Sequence, residues 1–297
     1  NFTCILFARS CCALVSPMRS WYIGKAQRLH RTKNLPCFMQ SNETEEPMQY
    51  YDLHTHTSMS DAGYPLSELV EVEKKLGYIL GVSDHLFCCG IYTLRDLSDY
   101  LAELSNYSVY RGVEVNMEHH ITLPDAMDDR IDYVIASVHS MPDGHGGFVP
   151  LNAYFSKRSG QSLELGKNYS SDLNRYYLAY IIQMIEKTFS NERVDILGHA
   201  TVLPPCDELH GTKFLLQWED AIIGLCKKHG IALEISGLWH APNMEMILRA
   251  KEAGLKFSMG SDCHNRLQIG DLVYVERAVE EVGLTQEDFF VPRRALD

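Results

Sequence analysis

From Tyr50 onward, short runs rich in β-branched, aromatic and other apolar residues recur at 50–54, 78–83, 108–115, 131–138, 194–198, 231–236 and 256–261. Their length and composition read as strands. Between most of them apolar positions return at three- and four-residue intervals, which predicts helices. One covers 66–76 behind Pro65, a residue suited to a first helical turn, and another covers 94–104 behind Thr93. A third covers 173–189 behind the cap-like pair Ser171-Asp172, and others are predicted at 215–226, 244–253 and 272–282. Strands alternating with helices predict a parallel sheet with helical crossovers, and seven strands favour a barrel over an open sheet. The Gly-rich stretch 140–171 has little period and reads as a long loop over the barrel mouth.

The polar residues are placed as tellingly as the apolar ones. Asp52-Leu53-His54-Thr55-His56, Ser83-Asp84-His85, Gly112-Val113-Glu114, Ser137-Val138-His139, Gly198-His199 and Ser261-Asp262-Cys263-His264 each fall at or just after the carboxyl end of a predicted strand. In α/β barrels that is the end where functional groups gather, so motifs scattered in sequence converge in space. His54/His56 and Asp262/His264 are spaced i,i+2, which on extended chain turns both side chains to one face. Imidazoles with carboxylates form a ligand set for zinc, iron or manganese. Metal ions held close together repel, so a shared carboxylate is needed between them, and Glu114 on the third strand is the natural one. Bound to such ions, water loses a proton near neutral pH, and no Ser, Cys or Asp nucleophile is required. Accordingly, no G-x-S-x-G elbow and no Gly-rich phosphate loop after the first strand are present.

Charge narrows the substrate. The 297 residues carry a formal charge of −12, but residues 1–42 hold six Lys or Arg and no acid, so the remainder sets 21 basic against 39 acidic residues. A body of net charge −18 disfavours nucleic acid and anionic membranes and fits a small molecule better. The nine cysteines are irregularly spaced without C-x-x-C, which implies a reducing, cytoplasmic setting rather than a disulfide framework. Residues 1–47 are basic up to Asn42, carry no acid before Glu43 and show no period; they read as a leader or extension, poorly ordered, ahead of a single domain at 48–297 that opens at Met48. The apolar stretch from Ile5 to Val15 is too short to span a bilayer.

Together, His54-Thr-His56 with Asp61-Ala-Gly63, Ser83-Asp84-His85, Gly112-Val-Glu114, Ser137-Val-His139, Gly198-His199 and Gly260-Ser-Asp262-Cys-His264 resemble, in content and order, the motifs of the PHP (polymerase and histidinol phosphatase) superfamily. The resemblance runs from about Tyr50 to Leu272 and implies a distorted (β/α)7 barrel with a two- or three-metal centre that hydrolyses phosphoesters. It implies that His54, His56, Glu114 and Asp262 hold a first metal, that Glu114 bridges to a second completed by His139 and His199, and that Asp61, His85 and His264 hold a third. Some members carry a His one position after Asp61, where this chain has Ala62. The function expected is hydrolysis of a small phosphomonoester, histidinol phosphate being the family's namesake substrate in histidine biosynthesis, with Glu114, Asp262 and His199 central to the chemistry. A phosphodiesterase or exonuclease of the same fold, and a non-catalytic accessory domain, are the alternatives.

Outside the ligand set, His145 and Arg158 in the mouth loop and His240 after the sixth strand are candidate substrate contacts, Arg158 because a guanidinium forks onto two phosphate oxygens. Asp84 and Asp52 are candidate partners for neighbouring ligands. Glu234 lies inside a strand run and receives no role.

Overall fold

The computed structural model describes residues 47–119, 123–142, 147–152, 154–155, 170–294 and 296. The leader expected at 1–47 lies outside these residues but for its last, as do His145 and Arg158. Seven parallel strands form one sheet: β1 (Tyr51–Asp52), β2 (Ile79–Val82), β3 (Tyr110–Asn116), β4 (Tyr133–Ser137), β7 (Ile196–Leu197), β8 (Ala232–Ser236) and β9 (Phe257–Gly260), in that order. Leu53 N–H donates to Met259 O at 3.0 Å and Asp262 N–H to His54 O at 2.7 Å, so the first strand meets the last and the barrel nearly closes. These are the seven strands that the apolar runs predict; several are shorter because the chain leaves the ladder where it delivers polar side chains.

Alternation sorts the barrel into an inside and an outside. On β3, Val113 and Val115 join the large core between strands and helices, while Tyr110, Gly112 and Glu114 share the opposite face. On β4, Val134 and Ala136 face the helices, and Tyr133 and Ile135 belong to a separate small cluster with Leu53, Tyr110, Ile196 and Ala232. That second cluster fills the barrel interior. Tyr133 lies across Gly81 and Gly112, where an added Cβ would come within 2.4 and 2.3 Å of it, and its hydroxyl donates to Leu53 O at 2.6 Å. One aromatic side chain thus fills space that two strands vacate by carrying glycine.

The helices wrap the outside. They are α1 (Leu66–Leu76), α2 (Leu94–Leu104), the single turn α3 (Asp125–Asp128), α4 (Ser171–Asn191), the short α5 (Pro204–Glu208), α6 (Lys213–His229), α7 (Met244–Glu252) and α8 (Val273–Val282). Their ends follow from capping chemistry. Thr93 and Asp96 form a reciprocal capping box at α2, and Thr212 and Asn243 accept the Leu215 and Met246 N–H groups at α6 and α7. At α4 the cap is Ser170, whose hydroxyl accepts from Leu173 N–H, rather than Ser171-Asp172. The stretch 140–171 is not wholly irregular. It opens with an antiparallel hairpin, β5 (Ser140–Pro142) against β6 (Phe148–Pro150), directly after His139. Leu151 N–H then donates to His139 O at 2.8 Å, folding the hairpin's exit back onto that residue.

Candidate metal centre

The carboxyl ends of the strands converge as the motif positions require. His54 and His56 leave β1; Asp61 follows in the next loop; His85, past β2, bridges Glu114 on β3. His139 follows β4, His199 follows β7, and Asp262 and His264 follow β9. His199 (φ 24°) and Asp262 (φ 51°) adopt left-handed backbone that side-chain-bearing residues rarely take, a strain tolerated where the surroundings impose it.

Glu114 lies at the centre. Its Oε1 is 3.3 Å from His54 Nε2, 3.2 Å from His139 Nε2 and 3.3 Å from His199 Nε2; its Oε2 is 3.6 Å from His56 Nε2 and 2.9 Å from His85 Nδ1. Asp262 Oδ1 is 3.5 Å from His54 Nε2 and 3.2 Å from His56 Nε2. Ligands about 2.0–2.1 Å from a zinc-sized ion stand roughly 3.3 Å apart in a tetrahedron. The imidazole-to-carboxylate separations among His54, His56, Glu114 and Asp262, 3.2–3.6 Å, are close to that spacing. His139 and His199 approach the shared Oε1, and His85, Glu114 and His139 form a further group whose donors lie within 4.8 Å of one another. Beside them Asp61 Oδ2 lies 3.6 Å from His85 Nε2 and 3.5 Å from His264 Nε2. His56 also belongs to this third group, with Nδ1 3.9 Å from Asp61 Oδ1, so one imidazole faces two neighbouring sets. Ala62 follows Asp61 and offers no donor, so Asp61 supplies the carboxylate of this group.

A family model for the PHP domain matches residues 52–237. The chain belongs to the PHP domain family. A "Probable phosphatase" of Clostridium acetobutylicum is 24% identical over 254 residues, covering 80% of this chain and 87% of its own length. Another of that name, from Pectobacterium carotovorum, is 36% identical over 265 residues, covering 83% and 92%. The DNA polymerase/3'-5' exonuclease PolX of Bacillus subtilis is 24% identical over 238 residues, 74% of this chain but 35% of that longer protein. The fold resembles that of histidinol phosphate phosphatase from Lactococcus lactis, solved with zinc, L-histidinol and phosphate: TM-score 0.53 at 15% identity, covering 80% of this chain and 95% of the other. Asp262 and His264 lie beyond the matched stretch of the PHP domain. The meeting of β1 with β9, where Thr55 bridges Cys263, brings them to the ligand cluster.

The donors of this PHP barrel suit bound cations. His54 Nε2, both ring nitrogens of His56, His85 Nδ1 and both oxygens of Glu114 are buried with no hydrogen-bond partner among the described residues. Groups so buried are ordinarily satisfied, and divalent ions would satisfy them. The carboxylates already gather positive charge. Burial disfavours protonation of His54, yet Glu234, Asp262 and Glu114 together hold it well above the ordinary imidazole value. The same contest, won by Glu114 and Asp61, pushes His85 up to about 10, and Asp61 pushes His264 up to about 9. Burial raises the carboxyls of Glu114 and Asp262, but the surrounding imidazoles outweigh it and hold both well below the usual carboxylate range. His56 differs: burial, then the positive His264 and His85, lower it to about 4, leaving it neutral with a lone pair to donate. Solvent reaches the cluster through side chains that keep some exposure, Asp61 (29%), His264 (33%) and His139 (20%), whereas His54 and His56 have none.

Around these donors the PHP barrel supplies orienting groups. A carboxylate only accepts, so Glu234 Oε1, 2.7 Å from His54 Nδ1, takes that N–H and turns Nε2 toward Glu114 and Asp262. Asn116 Oδ1 holds His139 Nδ1 at 2.5 Å in the same way, and Asp262 O holds His264 Nδ1 at 3.0 Å. The other oxygen of Glu234 accepts the backbone N–H of His199. Glu118 Oε1 accepts His139 N–H at 2.7 Å and also that of Ser140. Asn116 could have been found by its i+2 spacing from Glu114, whereas Glu234 gave no signal beyond its place in a strand.

Asp84 and Asp52 orient backbone rather than imidazoles. Asp84 accepts Thr57 N–H and Oγ1–H, each at 2.7 Å, and the Ser60 hydroxyl, clamping the loop that carries Asp61. Asp52 accepts Ser261 N–H at 2.8 Å, anchoring the segment that carries Asp262. His240 is exposed and stacks on Tyr274 of α8, ring centroids 5.1 Å apart, and joins none of the three donor groups.

Proposed function

We propose that this PHP domain is a metal-dependent phosphatase for a small phosphomonoester, with histidinol phosphate the first candidate. The observation that carries the proposal is the position of Glu114, a buried carboxylate with five imidazoles around its two oxygens. His54, His56, Glu114 and Asp262 would hold one divalent ion, Glu114, His139 and His199 a second, and Asp61, His85 and His264 a third; zinc, iron and manganese all suit these donors. When bound, the ions would neutralise phosphoryl charge and make water a nucleophile at neutral pH. The chain itself fixes ligand geometry through Glu234 and Asn116, and it leaves the side of Asp61, His139 and His264 open for the ester to enter.

The acidic body supports a small substrate, since repulsion would act along the whole length of a polynucleotide but only once on a monoester. No helix among the described residues is long and apolar enough to cross a membrane, and the thiols of Cys88, Cys226 and Cys263 are free, which supports action in the reducing cytoplasm. His145, Arg158 and His240 remain the residues proposed to meet the substrate. The similarity to PolX supports a second reading, cleavage of phosphodiesters. Metal-replete protein assayed against p-nitrophenyl phosphate, a panel of phosphate monoesters led by histidinol phosphate, and a single-stranded oligonucleotide separates the two. Turnover of monoesters alone supports the first; turnover of the oligonucleotide alone overturns it.

A further inference from the structure

Asp262 is constrained from a direction no other ligand shares. The indole Nε1–H of Trp239, in the loop after β8, donates to Asp262 Oδ2, while Oδ1 faces His56 Nε2 at 3.2 Å and His54 Nε2 at 3.5 Å. We propose that Trp239 is a positioning residue for the metal centre, which fixes Asp262 as a one-oxygen ligand.

A carboxylate with two available oxygens can chelate one ion or bridge two, and a crowded cluster invites both. An indole is a donor without an acceptor, so it can occupy an oxygen but cannot itself compete for a cation. The indole is held in place by its own packing. Trp239 is 9% exposed and clusters with Tyr154, Val202 and Ala241. Phe155 lies against it, ring centroids 5.4 Å apart, and also against His199 at 5.6 Å. This aromatic wall keeps water from the bond between Trp239 and Asp262, and a hydrogen bond to a charged acceptor strengthens where the surroundings are apolar. The backbone of Asp262 is pinned as well, by its positive φ and by its N–H bond to His54 O. Side chain and main chain together leave Oδ1 as the oxygen turned to the imidazoles. Hydrogen bonds to ligating carboxylates tune metal sites in this way.

The inference rests on the metal-holding role of the cluster and is independent of the phosphatase reading. Its test compares wild-type protein with Trp239→Phe, both stripped and reloaded with Co(II) or Zn(II). W239F is expected to bind one ion of the cluster about 10- to 100-fold more weakly in competition with a chromogenic chelator. Its visible Co(II) bands should weaken, as Oδ2 becomes free to raise the coordination number. Wild-type affinity together with an unchanged cobalt spectrum in W239F overturns the proposal, as does an equal loss at every ion with that spectrum unchanged. Wild-type protein labelled with 15N-tryptophan gives a reading that does not depend on the variant's folding. The Trp239 indole N–H should be shifted downfield and exchange slowly when metal is bound, and fast exchange overturns the assignment. None of these readouts uses turnover, so an inactive protein that behaves in this way retires the phosphatase reading and leaves the role of Trp239 standing.

Discussion

Glu234 Oε1 stands 2.7 Å from His54 Nδ1, on the opposite edge of the ring from the nitrogen that faces Glu114 and Asp262. Both side chains are fully buried, so solvent does not compete for that ring edge. Glu234→Ala is expected to lower metal affinity about 10- to 100-fold. Glu234→Gln, which still offers an acceptor, should lose less. Metal content after graded chelator dialysis measures both, and equal retention in the wild type and E234A would show that His54 needs no orienting partner.

Glu114→Ala removes the one carboxylate common to two of the proposed ion sites. Activity on p-nitrophenyl phosphate should fall by several orders of magnitude, and the bound metal should drop by at least one ion per chain. Kinetics and elemental analysis on the same preparation check this. A modest decline in rate with full metal content would remove the bridging role.

Glu73, buried on α1, is pushed up to about 9 by its burial and then by the neighbouring carboxyl of Asp52. Both of its oxygens lack a hydrogen-bond partner among the described residues. The sign follows from linkage: the folded state keeps this proton while the unfolded chain releases it in the ordinary carboxyl range. Its contribution is therefore complete below about pH 4.5 and declines as pH rises toward 9, by up to roughly 1.4 kcal/mol per pH unit. Glu73→Gln should flatten that decline in metal-free protein. Urea midpoints at pH 6 and pH 9 test this, and parallel losses in wild type and variant would sink it.

Gly112 faces Tyr133 inside the barrel, and an added Cβ would sit 2.3 Å from the phenol ring. Gly112→Ala should destabilise the fold by about 1–3 kcal/mol, as overpacked cores do. Because Glu114 is two residues further on the same face, metal affinity should fall as well. Thermal melting and metal titration of the variant check both, and an unchanged melting temperature would mean that Tyr133 can move aside.

Much of this protein can be read before it is folded. Strands show as short apolar runs, helices as three- and four-residue recurrence, and capping residues such as Thr93 mark where helices begin. The convergence of His54, His56, His85, Glu114, His139, His199 and Asp262 is legible because each stands at or just after the carboxyl end of a predicted strand, where a barrel gathers its polar side chains. The hairpin after His139 was not legible, since its short strands carry no lasting alternation and take their pairing from each other.

The order of strands and helices, the acidity of the body and the stock of imidazoles and carboxylates at strand ends are legible in the chain alone. These are local properties of composition and period, present in the chain before any contact forms. Folding is what sets Glu114 among five imidazoles, brings Glu234 and Trp239 onto His54 and Asp262, and stands His56 between two groups of donors. Many of those relations join residues far apart in sequence, Asp262 with Trp239 at 23 positions and His54 with Glu234 at 180, and they exist because the barrel closes β1 against β9 and turns alternate side chains inward.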